Sequence, residues 1–479
     1  MLNAEVLPSP SSLVSSDRPR VAHVPVVSRA LTKAGLVERD GSVTGAIPAW
    51  LGGRLLRTAP AVFELGSFRA QHWFDGLGML YGFRIRDGKV SFAQRLLECD
   101  VAAQAAEGRV RTASFASPNQ RSFWQRIFEP VPKVTDNANV NVLRFGAEWV
   151  ALTESPHQLR IDDATLGVLG RVHSDDALPK NMAPTAHPHF DFERNLMINV
   201  GTALGRKGEL IAFEQAPGSS ERREIGRFVA NEVSYVHSFG VTSSSVILVG
   251  QPWLVSPTSL LWSNRGYAEH LRWKPEQGTR FIALDRARRG ELREFHGDAL
   301  FTFHTVNSFV DGDALVMDLL AYQDPSVVDE FRVERMLQAL TFKRPSLYRA
   351  RLANGEARLE KLCETGFEFP AINYRRVSGV RHRWVWGSTA RGDGADIVAV
   401  DCESGAIRHF GAPGYVFGEP VFVPRPGADA EDDGVLLVVG SNGERSQLVV
   451  LDAKTLDPHA TVHVGVPIPL GFHGSFSRT

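Results

Sequence analysis

Along this chain one pattern of apolar and polar positions recurs. An apolar run is followed by a short turn rich in Asp, Gly or Asn, and then by a second run with polar residues on one face. Period-two alternation broken by such turns predicts a β-hairpin. The unit appears as LYGFRIRDGKVSFAQRLL from Leu80, LRIDDATLGVLGRV from Leu159, LIAFEQAPGSSERREIGRF from Leu210 and FIALDRARRGELREF from Phe281. It returns as LYRARLANGEARLEKL from Leu347, IVAVDCESGAIRHF from Ile397 and LVVLDAKTLDPHATVHV from Leu448. Successive copies start 50 to 79 residues apart, which leaves room for four short strands and loops of variable length in each unit.

A single hairpin cannot bury its apolar face alone, and radial repetition of four-stranded sheets is one way to cover faces and protect edges. The pattern therefore predicts an all-β protein, a seven-bladed β-propeller; a large sandwich and a β-solenoid are the competing architectures. The expected organisation is a flexible N-terminal tail over residues 1–25 and one propeller domain over 26–479. Insertions near 98–134 and 253–275 would form a small helical and loop cap over the central axis.

The phase of particular side chains sharpens this reading. His237 follows the end of its preceding hairpin at Phe228 by 9 residues, His304 follows Phe295 by 9, His473 follows Val464 by 9, and His187 follows Val172 by 15. Each falls at the start of the next sheet's first strand, and in a propeller those innermost strands line the axis. Four imidazoles could therefore surround a metal. His189 would share a strand face with His187, and spacing alone does not choose between them. Glu419 and Glu368 occupy similar places after Phe410 and Leu362, and Glu154 ends the run VLRFGAEWVALTE. Three carboxylates beside imidazole ligands suit the hydrogen bonds that fix a ligating ring's tautomer. All-imidazole ligation admits Fe, Cu, Ni or Zn, and an octahedral iron would keep two positions open. The remaining histidines, among them His270 and His382, are expected at the surface.

Composition changes the picture little. With 479 residues, 43% hydrophobic and 22% charged, the chain has the makeup of an ordinary globular protein, and its formal net charge of −1 argues against a nucleic-acid partner. The three cysteines, Cys99, Cys363 and Cys402, are far apart and read as reduced, inert thiols in a cytoplasmic setting. Neither a secretory signal nor a membrane-spanning run is evident.

A set of segments in order carries a family resemblance: GAIPAWLGGRLLRTAP from Gly45, HWFDGLGML from His72, TDNANVNV from Thr135 and TAHPHFD from Thr185. The set continues with HSFGVT from His237, FHTVNSF from Phe303, GFEFPAINY from Gly366, GEPVFVPRPGADAEDDGVLL from Gly418 and GFHGSF from Gly471. From about residue 45 to the C-terminus the chain resembles the carotenoid cleavage oxygenases, in particular their animal-type branch of β-carotene oxygenases and retinoid isomerohydrolase. The resemblance implies one Fe(II) per chain on His187, His237, His304 and His473, with Glu154, Glu368 and Glu419 orienting the ligands. It also implies an apolar tunnel to the iron, with Val140 beside the metal and Phe63, Thr153, Phe303, Tyr322 and Phe369 near the bound chain.

His72 is read as structural. RTAP at Arg57–Pro60 departs from the Arg-Asn-Gly-Pro of many members, a change expected to alter a turn and to touch no ligand.

The implied reaction cleaves a conjugated C=C bond of a carotenoid or apocarotenoid with dioxygen to give aldehydes of the retinal type. Stilbene cleavage, non-oxidative retinoid isomerohydrolysis and a metal-free interaction platform are the alternatives. NQRSFWQRIFEP from Asn119 and LLWSNRGYAEHLRW from Leu260 interleave apolar and basic residues. Each is expected to form a helix that either packs over the propeller or rests peripherally on a membrane. The sequence sets no oligomeric state.

Overall fold

The computed structural model describes residues 35–338, 342–391 and 394–478; the proposed tail, 1–25, lies outside them. The described chain is predominantly strand. All seven predicted hairpins form, from Leu77–Arg86 with Lys89–Leu96 through to Ser446–Asp452 with Pro458–His463. Many strands are continuously apolar rather than alternating, such as Ser245–Gly250 (SVILVG) and Gly434–Ser441 (GVLLVVGS), every residue of which is buried. Such runs suit strands covered on both faces. One covering layer is the cluster of Ile247, Phe281, Leu315, Met317 and Ala350.

Besides two small sheets, of three strands at Val233–Ser234, Trp253–Val255 and Arg272–Trp273 and of two at Glu64–Leu65 and Phe68–Arg69, three sheets of four or five strands stand alone. The first is five-stranded, in the order Val37–Asp40, Lys89–Leu96, Leu77–Arg86, Gly53–Val62 and Gly474–Ser477. The second has four strands between Asn141 and Arg171, and the third is centred on Leu196–Leu204 and Gly208–Gln215. Two longer sheets, of eight and nine strands, are each two antiparallel sets joined by a single parallel pairing, at His296–Glu356 and at Ala395–Val416.

The chain ends interlock. Gly474–Ser477 pairs with Gly53–Val62 in the first sheet, and Ser42–Gly45 pairs with Pro458–His463 in the last. Both closures are antiparallel ladders that tie each end of the chain into the sheet formed by the other. The seam also corrects one expectation. Thr58 of RTAP lies within the strand Gly53–Val62 rather than in a turn. Its N–H and its Oγ1 donate to the His473 carbonyl at 3.1 and 3.2 Å, so it does touch the backbone of a candidate ligand.

Both insertions expected to form a cap are present and lean on each other: Arg121 donates to the carbonyls of Glu129 and Ser263, each at 2.6 Å. Ser122 begins the short helix Phe123–Phe128 with a capping box, accepting from the Gln125 N–H while the Gln125 side chain accepts from the Ser122 N–H. The second stretch does not become a helix of this kind. It folds as 3₁₀ turns at Pro257–Leu260 and Tyr267–His270, with Leu271 buried, and Trp262 alone among its large apolar side chains stands exposed. No helix among the described residues is long and apolar enough to cross a membrane.

A Cβ on Gly474 would lie 2.2 Å from the Leu56 carbonyl oxygen and 2.6 Å from Arg57 Cγ. Gly474→Ala should therefore force the closing strand away and lower unfolding free energy by about 1–3 kcal/mol, measured by denaturant titration. A variant as stable as the parent would show that the seam is slack.

Candidate metal centre

Four histidines arrive at one point from four places in the strand order. His304 lies inside Phe301–Asp311, His473 directly precedes Gly474–Ser477, His237 precedes Phe239–Val241, and His187 precedes His189–Asp191. One ring nitrogen of each lies within 4.8 Å of those of the others. His187 Nε2 is 3.0 Å from His237 Nε2, and His304 Nε2 is 3.2 Å from His473 Nε2. His187, and not His189, lies in this cluster. His189 donates from Nε2 to the Phe239 carbonyl and accepts at Nδ1 from the Tyr374 hydroxyl, both at 2.9 Å, which leaves it no free nitrogen.

Three of the rings are oriented by carboxylates. His237 Nδ1 faces Glu154 at 2.5 Å, His304 Nδ1 faces Glu368 at 2.6 Å and His473 Nδ1 faces Glu419 at 2.7 Å. A carboxylate accepts, so each Nδ1 carries the proton and each Nε2 presents a lone pair. Two lone pairs 3.2 Å apart, on His304 and His473, repel unless something electrophilic lies between them. A proton is a poor candidate: burial pushes the His473 pKa down to about 4, and burial with four neighbouring imidazoles holds His187 well below its ordinary value. The donor set is neutral, buried and convergent, which fits a divalent transition metal.

Each carboxylate is itself fixed through its second oxygen. Tyr235 donates to Glu154 at 2.8 Å and Tyr322 donates to Glu368 at 2.8 Å; burial next to a carboxylate raises both phenol pKa values well above normal, so they stay protonated. Glu419 Oε2 accepts from the Gly474 N–H at 3.1 Å and lies 3.3 Å from Arg57, which also donates to the Phe472 carbonyl. Burial opposes ionisation of Glu368 and Glu419, yet the facing histidines and hydrogen bonds hold both below the usual carboxylate range. Phe369 takes φ +56°, rare for a bulky residue, and its N–H donates to Glu368 at 3.0 Å.

A cavity of about 1130 Å³ opens onto His237, His304 and His473. Val140, Thr153, Phe303, Tyr322 and Phe369 line it as expected, together with Phe74, Phe115, Phe331 and Phe472. Phe63 does not. It is buried in the main core, where its ring lies against Gly76 and its carbonyl accepts from Ala70.

Sequence reasoning missed Tyr235 and Arg57, and it gave Tyr322 only a lining role. His72 is structural, accepting from the Phe74 N–H and donating to the Val328 carbonyl. Two histidines expected at the surface are buried: His270, and His382 beside Asp318 and Cys402. The cysteines carry no disulfide; Cys363 and Cys402 are buried and Cys99 half-buried, with its thiol pushed up to about 12 by burial.

A mostly β fold carrying a four-histidine cluster at the wall of a cavity rich in aromatic residues defines a class of protein with a candidate metal site. The chain belongs to the retinal pigment epithelial membrane protein family, whose pattern it matches over residues 32–478. It is 31% identical to a carotenoid isomerooxygenase of Galleria mellonella, over 91% of this chain and 93% of that protein. It is 28% identical to a mitochondrial carotenoid-cleaving dioxygenase of Mustela putorius furo, over 91% and 93% of the two chains. Its fold superposes on cobalt-substituted Synechocystis ACO with a TM-score of 0.82 at 25% identity, over 93% of this chain and 97% of that one.

Because Glu368 orients a ring without touching the central point, Glu368→Gln should weaken divalent-metal retention about 10–100-fold. Competition against a chelator reads this directly, and parental affinity in the variant would remove the orienting role.

Proposed function

We propose that this chain is a non-haem iron(II) dioxygenase that cleaves a conjugated C=C bond of a carotenoid or apocarotenoid to aldehyde products. The observation that carries this reading is the set of converging imidazole nitrogens, three of them fixed by carboxylates, at the wall of a long aromatic cavity. His187, His237, His304 and His473 would hold one Fe(II) per chain, and the bound iron would supply the activation of dioxygen. The names of its relatives agree with a carotenoid substrate and with dioxygen as co-substrate.

The chain's own residues do the rest. Phe303 and Phe369 pack within 5.3 to 5.8 Å of the ligand rings, and with Phe74 and Phe472 they form a dry wall that positions a polyene and excludes water. Val140, whose carbonyl accepts from the His473 N–H, crowds the cavity next to the ligands. Glu154, Glu368 and Glu419 keep the Nδ1 protons and so hold the Nε2 atoms as donors throughout.

The architecture we infer is a seven-bladed propeller in one domain. Dividing the eight- and nine-stranded sheets at their single parallel pairings gives four antiparallel sets, and the three separate sheets of four or five strands bring the number to seven, with the small three- and two-stranded sheets set outside the blades. We also place the cap against an apolar membrane surface: Phe123, Trp124 and Phe128 are 61%, 65% and 79% exposed on one short helix.

Purified protein should contain one iron per chain, and His237→Ala or His304→Ala should lose both metal and activity. Incubation of iron-loaded protein with carotenoids, apocarotenoids and stilbenes should give aldehydes from one defined polyene bond. Full activity in either histidine variant, or turnover of stilbenes alone, would overturn the reading.

A further inference from the structure

Deeply placed arginines in this protein have partners. Arg57 faces Glu419, Arg222 faces Asp176, Arg286 faces Asp191 and Arg349 faces Asp318. Arg344 does not follow the rule. It leads into the strand Ser346–Ala353, its Cβ lies over Gly366, and its side chain lines the cavity. Its Nε is buried with no hydrogen-bond partner, and among the described residues no carboxylate pairs with the guanidinium.

The acidic groups whose charge reaches it are committed elsewhere. Glu368 binds His304, the Phe369 N–H and Tyr322, while Glu330 Oε2 accepts from the Lys343 N–H. Aromatic rings line this part of the wall beside Lys343: Trp73 stacks on Phe342 at 6.4 Å and 9°, and Phe331 packs on Phe342 at 5.1 Å. Trp73 Nε1 is a second buried donor without a partner.

A guanidinium has five donors, no acceptor, and keeps its charge even when burial lowers its pKa. Held in an aromatic pocket with no carboxylate in hydrogen-bond contact among the described residues, its buried Nε–H stays unsatisfied until a ligand brings an acceptor. A site of this kind discriminates strongly against a ligand that lacks the acceptor, because the donor is then left buried and unpaired.

We propose that Arg344 is a specificity-determining residue that receives an oxygen-bearing end of the polyene, so that the preferred substrates are apocarotenoids ending in a carbonyl or carboxylate rather than hydrocarbon carotenes. The proposal rests on the function proposed above, whose chemistry leaves the substrate's end group open. The guanidinium fork suits a carboxylate best, with two parallel N–H donors, and an aldehyde oxygen next.

The test uses iron-loaded full-length protein and three polyenes of equal length, ending in a carboxylate, an aldehyde or a methyl group. Binding is read by quenching of tryptophan fluorescence, and turnover by loss of polyene absorbance. The parent should bind the acid and the aldehyde at least about 10-fold more tightly than the methyl-ended chain. Arg344→Met should reduce that preference about 10–100-fold, and Arg344→Lys should restore part of it for the acid. Equal binding of all three by the parent, or a uniform loss for all three in Arg344→Met, would overturn the assignment. Should Arg344→Met not fold, the parental series decides alone. A parent that discriminates in binding yet cleaves none of the polyenes would keep the Arg344 assignment and defeat the proposed function.

Discussion

The hydrogen bond from an imidazole Nδ1–H to a buried carboxylate is the interaction on which the centre depends. It occurs three times, at Glu154, Glu368 and Glu419, and each time it turns an Nε2 lone pair toward the same point. Without it a neutral imidazole could take either tautomer, and the rings could satisfy one another by hydrogen bonding. With it, His304 and His473 are both committed as acceptors at 3.2 Å, a geometry that favours a cation between them.

That constraint propagates outward through the fold. Glu419 is held by Arg57 and by the Gly474 N–H, and both lie at the seam where the last strand joins the first sheet. Closing the chain and orienting a candidate ligand are therefore one structural event. On the other side of the centre, Tyr235 and Tyr322 hold Glu154 and Glu368 and also line the cavity, so the residues that fix the ligand shell shape the space in front of it.

The cavity itself combines two kinds of wall. Near the histidines it is aromatic, and an apolar chain can be recognised there by shape. At Arg344 it carries a guanidinium whose buried Nε has no hydrogen-bond partner. An apolar pocket with one well-placed polar group reads length and end-group chemistry together, which length alone would not provide.

Much of the class was legible in the sequence because hairpin alternation and turn residues are local signals, and all seven predicted hairpins form. The common phase of His237, His304 and His473 was legible for a related reason, since a repeat places equal positions at equal depth. Residues lying off that repeat were settled only by tertiary contact. His189 was separated from His187 by Phe239 and Tyr374, which come from a strand and a short helix distant in sequence. Phe63 turned into the core rather than the cavity, and His382 became buried beside Asp318. Tyr235, Arg57 and the unpaired Arg344 carry no local signature, because a phenol or guanidinium gains its role only from the carboxylates that face it or fail to. The second cap stretch interleaves apolar and basic residues as the first does, yet it folds as 3₁₀ turns with Leu271 buried in the main core. Hairpin positions and the shared phase of three histidines can be read from the chain alone; which side chains meet depends on the closed fold, because those contacts join segments from 50 to 362 residues apart.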